Sequence, residues 1–115
     1  LKNLVDLIGV GATKDLFYTA RRIDAAEAQR LGLVSRTCAV SELPALLAEY
    51  TDSIVSNAPL TLAAAKEIIG EILKPSPDLD AVRCRDLILK CFESEDYAEG
   101  RRAFMEKRKP QFKGR

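Results

Sequence analysis

The sequence predicts a mainly α-helical protein with one or two short strands. Three observations carry that expectation. Apolar residues recur at helical spacing through most of the chain. Residues that start or stop helices, among them Asp24, Gly32, Pro59 and Ser94, punctuate those runs at sensible intervals. Only the stretch from Leu33 to Val40 is bounded and β-branched enough to be read as a strand. With 115 residues, 47% hydrophobic and 30% charged, the length suits one domain with a core of its own.

Leu1, Leu4, Val5 and Ile8 share a helical face, and the short helix they form is predicted to end near Gly9. The chain enters this face at once and has no starting Met, which reads as a protein entered midway. Gly11 marks the next start, and Ala12 to Ala20 forms a second helix on Leu16, Phe17 and Ala20. Arg21-Arg22-Ile23 is an extended piece. Asp24-Ala25-Ala26-Glu27 has the form of a capping box: the Asp side chain accepts from early helix amides and Glu27 reaches back. Gly32 suits the left-handed residue that ends this brief helix. A strand over Val34, Thr37 and Val40 follows. Ser41 is the expected cap of the next helix, with Pro44 in its first turn and Leu43, Leu46, Leu47, Tyr50, Ile54 and Val55 on one stripe.

Pro59 restarts the chain at a favoured first helical position, and Leu60, Ala63, Ala64, Ile68, Ile72 and Leu73 continue the stripe. Lys74-Pro75-Ser76-Pro77-Asp78 is a linker, because two prolines do not continue a helix. A helix from Leu79 carries Val82, Leu87, Ile88, Cys91 and Phe92. Ser94 caps the last one, Glu95 to about Lys107, acidic in its first turn and basic in its last.

Composition excludes several functions. The net charge of +1 provides no field for nucleic acid or an anionic membrane surface, and no apolar run is long enough to span a bilayer. The absence of histidine removes Ser-His-Asp and Cys-His catalysis and any imidazole zinc site. Cys38, Cys84 and Cys91 have neither disulfide nor metal-ligand spacing and read as reduced core thiols of a cytoplasmic protein. The first residues show no export signal. No glycine loop of a phosphate-binding kind is present. Glu67 and Glu71 are read on an exposed helix face, and Glu93, Glu95 and Asp96 around a helix start, so no carboxylate is assigned a catalytic role. The basic tail, Arg101, Arg102, Lys107, Arg108, Lys109, Lys113 and Arg115, is a solvated helix end, a phosphate-binding patch or, least favoured by the balanced charge and sparse aromatics, a nucleic-acid patch.

Two segments narrow the choice. One runs from Leu4-Val5-Asp6-Leu7-Ile8-Gly9 through Tyr18-Thr19-Ala20-Arg21-Arg22-Ile23-Asp24-Ala25-Ala26-Glu27-Ala28 to Leu31-Gly32-Leu33-Val34. The other runs from Ser94-Glu95-Asp96-Tyr97-Ala98-Glu99-Gly100 through Ala103-Phe104-Met105-Glu106-Lys107-Arg108-Lys109-Pro110 to Gln111-Phe112-Lys113-Gly114. Together with Asn57-Ala58-Pro59-Leu60 and Ala64-Ala65-Lys66, their order and spacing resemble the C-terminal region of the enoyl-CoA hydratase/isomerase (crotonase) family over essentially the whole chain.

The resemblance implies the C-terminal helical part of a ββα spiral fold: residues 1–40 as the end of the core spiral and 41–115 as a helical trimerisation region. It implies an acyl-CoA thioester as substrate, homo-trimers or hexamers, and no cofactor beyond the coenzyme A that the substrate carries. The family's oxyanion hole and its two acid–base glutamates belong to the N-terminal half, so no catalytic and no metal residue carries over. One contact does. A lysine that touches the nucleotide part of coenzyme A in some hydratases matches Lys107. A phenylalanine that lines the adenine pocket in some members matches Ile88, where this chain departs from the pattern. Gly100, costly inside a helix, points to close packing there, with Phe104 and Phe112 anchoring the tail.

Overall fold

The computed structural model describes residues 1–115. They divide into two compact units, Leu1–Leu47 and Ala48–Arg115.

The first unit opens with α1 (Lys2–Thr19), broken at Gly9, whose φ of 79° and ψ of 164° lie outside the helical region. The expected stop at Gly9 is thus a break between two helical arms. Buried Thr13 donates its hydroxyl to the Gly9 carbonyl at 2.8 Å, which satisfies an acceptor at the break. The second arm ends at Ala20, left-handed at φ 50°, whose amide donates to the Leu16 carbonyl. Arg21 then fixes the turn. Its Nε donates to Asp15 and its two terminal nitrogens donate to both oxygens of Glu27, each at 2.8 Å.

α2 (Ala25–Leu31) starts under Asp24, which accepts from the Glu27 amide at 2.7 Å. Only half of the expected capping box forms, because the Glu27 carboxylate is held by Arg21. Gly32, at φ 85°, closes the helix: its amide and that of Leu33 donate to the carbonyls of Gln29 and Ala28.

The predicted strand over 34–40 is absent, and the chain contains no strand. A strand needs a ladder partner, and no second extended segment lies beside this one. Its fixings are local instead: Thr37 donates to the Gln29 side chain at 2.7 Å, and that side chain donates to the Ser35 carbonyl at 3.4 Å. Ser41 is not a cap either. It lies within a 3-10 turn, Val40–Glu42, where the Ala39 amide donates to the Glu42 carboxylate at 3.1 Å. α3 (Leu43–Val55) follows, with Pro44 in its first turn as expected, and continues across the boundary into the second unit.

In the second unit α4 (Pro59–Ile72) begins at the expected proline. The linker holds a 3-10 turn, Ser76–Asp78. α5 (Ala81–Phe92) begins slightly later than the periodicity indicates, because Asp80 caps it by accepting from the Arg83 amide. α6 (Glu95–Met105) is capped by Ser94, which accepts from the Tyr97 amide at 3.0 Å. α4 packs against α5, and α5 against α6.

Glu71 is buried rather than exposed. It accepts from Lys74 Nζ at 2.6 Å and from the Asp80 amide at 3.3 Å, and these bonds, the lysine's first, hold its carboxyl below the ordinary range. Glu67, which is exposed, pairs with Arg83.

Few apolar side chains find cover. Ala64 and Ala103 are the buried hydrophobic residues of the whole chain. The α3 stripe stays largely open, with Leu47 61% and Val55 83% exposed. The helices therefore stand on local capping and ion pairs while their apolar faces remain available. All three cysteines are free, and Cys38 is exposed rather than part of a core.

A left-handed alanine costs roughly 1–2 kcal/mol, part of which glycine recovers and part of which it returns as chain entropy. Ala20→Gly is expected to raise the thermal midpoint by a few degrees. Ala20→Val is expected to lower it, and scanning calorimetry on both variants checks the sign.

Candidate functional site

Two features meet on α6. The first is an open apolar groove of about 730 Å³, walled chiefly by Ile68, Ile88, Phe92, Tyr97, Phe104 and Phe112. Tyr97 meets Phe92 edge to face, with centroids 5.0 Å apart, and the Arg101 guanidinium lies 6.0 Å from the Tyr97 ring centre. Asp96 is the only carboxylate on the wall.

Both oxygens of that carboxylate are engaged by the tail. Asp96 is 3% exposed, and its two oxygens accept from the amides of Lys113 at 2.6 Å and Gly114 at 2.8 Å. The Asp96 amide donates to the Arg115 carbonyl at 3.2 Å. Asp96, read from sequence as one of a cluster at a helix start, does lie in the first turn of α6 and is also the clasp of the tail.

The tail is held at two further points. Phe112 packs on Gly100: a methyl added there would lie 3.5 Å from the ring, which is ordinary contact. Gly114 lies equally close to the Pro59 ring at the start of α4. Phe112 is half-buried and anchors the tail as expected, whereas Phe104 is 82% exposed and does not. Nothing in the tail packs over Phe104, so it stands at the rim of the groove.

The second feature is the turn after α6. Lys107 has a φ of 54°. Its amide donates to the Phe104 carbonyl and that of Arg108 to the Ala103 carbonyl, the same closing pair of bonds that Gly32 makes at the end of α2. Glycine is the favoured occupant of this position, and here it is a lysine. Lys107 is exposed and its ammonium joins none of the ion pairs around it.

Those neighbours are tied. Arg108 forks onto Glu99 with bonds of 2.6 and 3.0 Å, and its Nε donates to Glu106 at 2.5 Å. Glu99 also accepts from the Gln111 amide at 2.9 Å. The bonds from Arg108 first, then that from Gln111, pull the Glu99 carboxyl down to about 2. Arg108 is pushed upward by Glu99 and then Glu106.

The expected contact residue, Lys107, thus lies in this turn, and Ile88, where the chain departs from the family's phenylalanine, lies on the groove wall. Asp96 and Glu99 are not marked by the sequence as parts of a site, and Arg108, one of the basic tail read as a candidate phosphate patch, is instead paired with Glu99 and Glu106. Glu99 and Arg108 lie nine residues apart across a helix end, a spacing that no helical periodicity marks.

The enoyl-CoA hydratase/isomerase family matches residues 1–115. The chain belongs to that family. It is 36% identical over 108 residues to a short-chain-enoyl-CoA hydratase of Clostridium acetobutylicum, covering 94% of this chain and 41% of that protein. It is 38% identical over 105 residues to a carnitinyl-CoA dehydratase of Proteus mirabilis, covering 88% of this chain and 40% of that protein. It is 34% identical over 117 residues to a methylmalonyl-CoA decarboxylase of Escherichia coli, covering 99% and 44%. The crystal structure of an enoyl-CoA hydratase from Bacillus anthracis superimposes with a TM-score of 0.86 at 38% identity, over 97% of this chain and 43% of that one. The helical part of a crotonase-like fold, expected from the motifs, is what the chain forms. It spans about two fifths of the length of the curated relatives it matches.

The Glu99 clamp has a defined acid signature. An ordinary glutamate titrates near 4.5 and Glu99 near 2, so on acidification the unfolded chain takes up the proton first. The stability contributed by Glu99 is present above about pH 4.5 and is lost as pH falls towards about 2. Urea titrations of wild type and Glu99→Gln are expected to differ by a constant amount above that window. Within it the difference shrinks. A constant difference down to pH 2 would contradict the clamp.

Proposed function

We propose that this chain works as the C-terminal helical part of an enoyl-CoA hydratase-like enzyme that adds water across the double bond of a 2-enoyl-CoA thioester. In this reading the chain contributes a coenzyme A contact at Lys107 and a surface for homo-trimer or hexamer assembly. It has no catalytic function alone.

The observation that carries the reading is Lys107: a lysine in a left-handed position that favours glycine, exposed and free of ion pairs. A residue kept in a sparsely populated conformation is a reason to look for function there. A compact ammonium on a long stem suits phosphate. The matched relatives are named for three different reactions, a hydratase, a dehydratase and a decarboxylase, and their names share only the acyl-CoA thioester. The stretch common to all three is therefore better suited to holding coenzyme A than to choosing the reaction. The engagement of Asp96, the one carboxylate on the groove wall, by two tail amides supports inactivity alone.

A double-bond isomerase or another crotonase reaction is the nearest alternative, favoured by that spread of names. A helical self-association module without catalysis is the alternative of another class. Its support is the open apolar surface on α3 and along the groove.

The 115-residue chain is expected to show no hydration of crotonyl-CoA above background, read as loss of the conjugated thioester absorbance. Turnover would mean that an acid–base pair exists among residues described above as structural. For coenzyme A itself, Lys107→Gly is expected to weaken binding about tenfold, the scale of one charged hydrogen bond, while raising the thermal midpoint. Unchanged calorimetric affinity would remove Lys107 from the site. A discrete trimer with no affinity for coenzyme A would favour the self-association module.

A further inference from the structure

We infer that Glu99 and Arg108 are positioning residues for Lys107: their two-point ion pair, added to the two backbone bonds that α6 accepts, holds the lysine's turn in its left-handed form. The inference rests on the reading of Lys107 as a coenzyme A contact and adds residues that touch no ligand.

Lys107 lies beyond the last residue of α6, Met105, and its turn meets the helix through the Phe104 and Ala103 carbonyls. A lysine here gains nothing from the left-handed conformation and pays the Cβ penalty that Gly32 avoids. Two backbone bonds close the turn in both places. At α2 the glycine needs no further support. At α6 every neighbour of the lysine is tied as well. Glu106 and Glu99 hold the Arg108 guanidinium from two sides, and Arg108 Nη1 also donates to the Lys109 carbonyl at 3.1 Å. Glu99, anchored on α6, accepts in addition from the Gln111 amide. The turn is thus pinned to the body of the helix just beyond Lys107, through Arg108 and Gln111, while the lysine side chain stays unpaired. A fork between planar groups fixes orientation as well as distance, which a single contact does not.

Only Glu99 among the surrounding carboxylates reaches both Arg108 and the chain beyond it. Arg102 lies 3.9 Å from the same carboxylate and does not reach past the turn. If the fork is lost, the turn is free to leave the left-handed region, and the ammonium is presented over a wider range of positions. Phosphate affinity then falls although no ligand contact has been removed.

The test is a double-mutant cycle in coenzyme A affinity, by calorimetry at low and moderate salt, on wild type, Lys107→Ala, Glu99→Gln and the double variant. Arg108→Lys runs in parallel, since it keeps the charge and loses the fork. Glu99→Gln and Arg108→Lys are each expected to weaken binding several-fold and to flatten its salt dependence. In the Lys107→Ala background Glu99→Gln is expected to cost nothing further. Losses that multiply in the double variant would mean that Glu99 acts through general loosening, and would overturn the inference. So would an unchanged affinity in Glu99→Gln and Arg108→Lys when Lys107→Ala binds weakly. If wild type does not bind, or Lys107→Ala binds like wild type, the reading of Lys107 itself falls and this inference falls with it.

Discussion

The Asp96 carboxylate, buried in the first turn of α6, accepts from the amides of Lys113 and Gly114, and its own amide donates to Arg115. The second unit depends on this clasp more than on any apolar contact, because the chain buries so little hydrophobic surface of its own. Charge-assisted bonds to a buried carboxylate are stronger than neutral ones, and losing the acceptor would release both tail amides. With the tail clasped, Phe112 is seated against Gly100, Gly114 against Pro59, and one wall of the apolar groove exists. The same tail brings the Gln111 amide within reach of Glu99.

α6 thus has two kinds of work. Its N-terminal turn holds the tail through Asp96, and its later part holds the Lys107 turn through Glu99. Both attachments are polar, local in space and distant in sequence. They allow the groove face to remain apolar without a large core behind it. Lys107 then stands exposed between Glu106 and Arg108, which pair with each other. The open stripes of α3 have a different meaning, since exposed apolar surface on this scale is associated with packing against other protein surface.

Sequence patterns located the helices well wherever the start or stop was chemical. Ser94, Asp24, Pro59 and Gly32 each act as their residue types dictate, because caps and breakers work through bonds within a few residues. The patterns failed where the partner was remote or missing. The stretch over 34–40 has strand-like residues but no ladder to join. Ser41 has the right hydroxyl, yet Glu42 caps the turn. Glu71 looked exposed by periodicity and is buried, because the linker returns to give it the Asp80 amide. Phe104 and Phe112 looked alike as anchors, and only the one opposite a glycine is covered.

By itself the sequence determined a helical chain, its breaks and caps, and through its motifs the enoyl-CoA hydratase/isomerase family and Lys107 as the residue to watch. The reason is that propensity, capping and periodicity are local properties of neighbouring residues. Only the tertiary structure decided that Asp96 is a clasp, that Lys107 is left-handed, and that Glu99 and Arg108 frame it. Those facts depend on where the tail returns in space, and a carboxylate has the same formula whether it meets water or two amides seventeen and eighteen residues away.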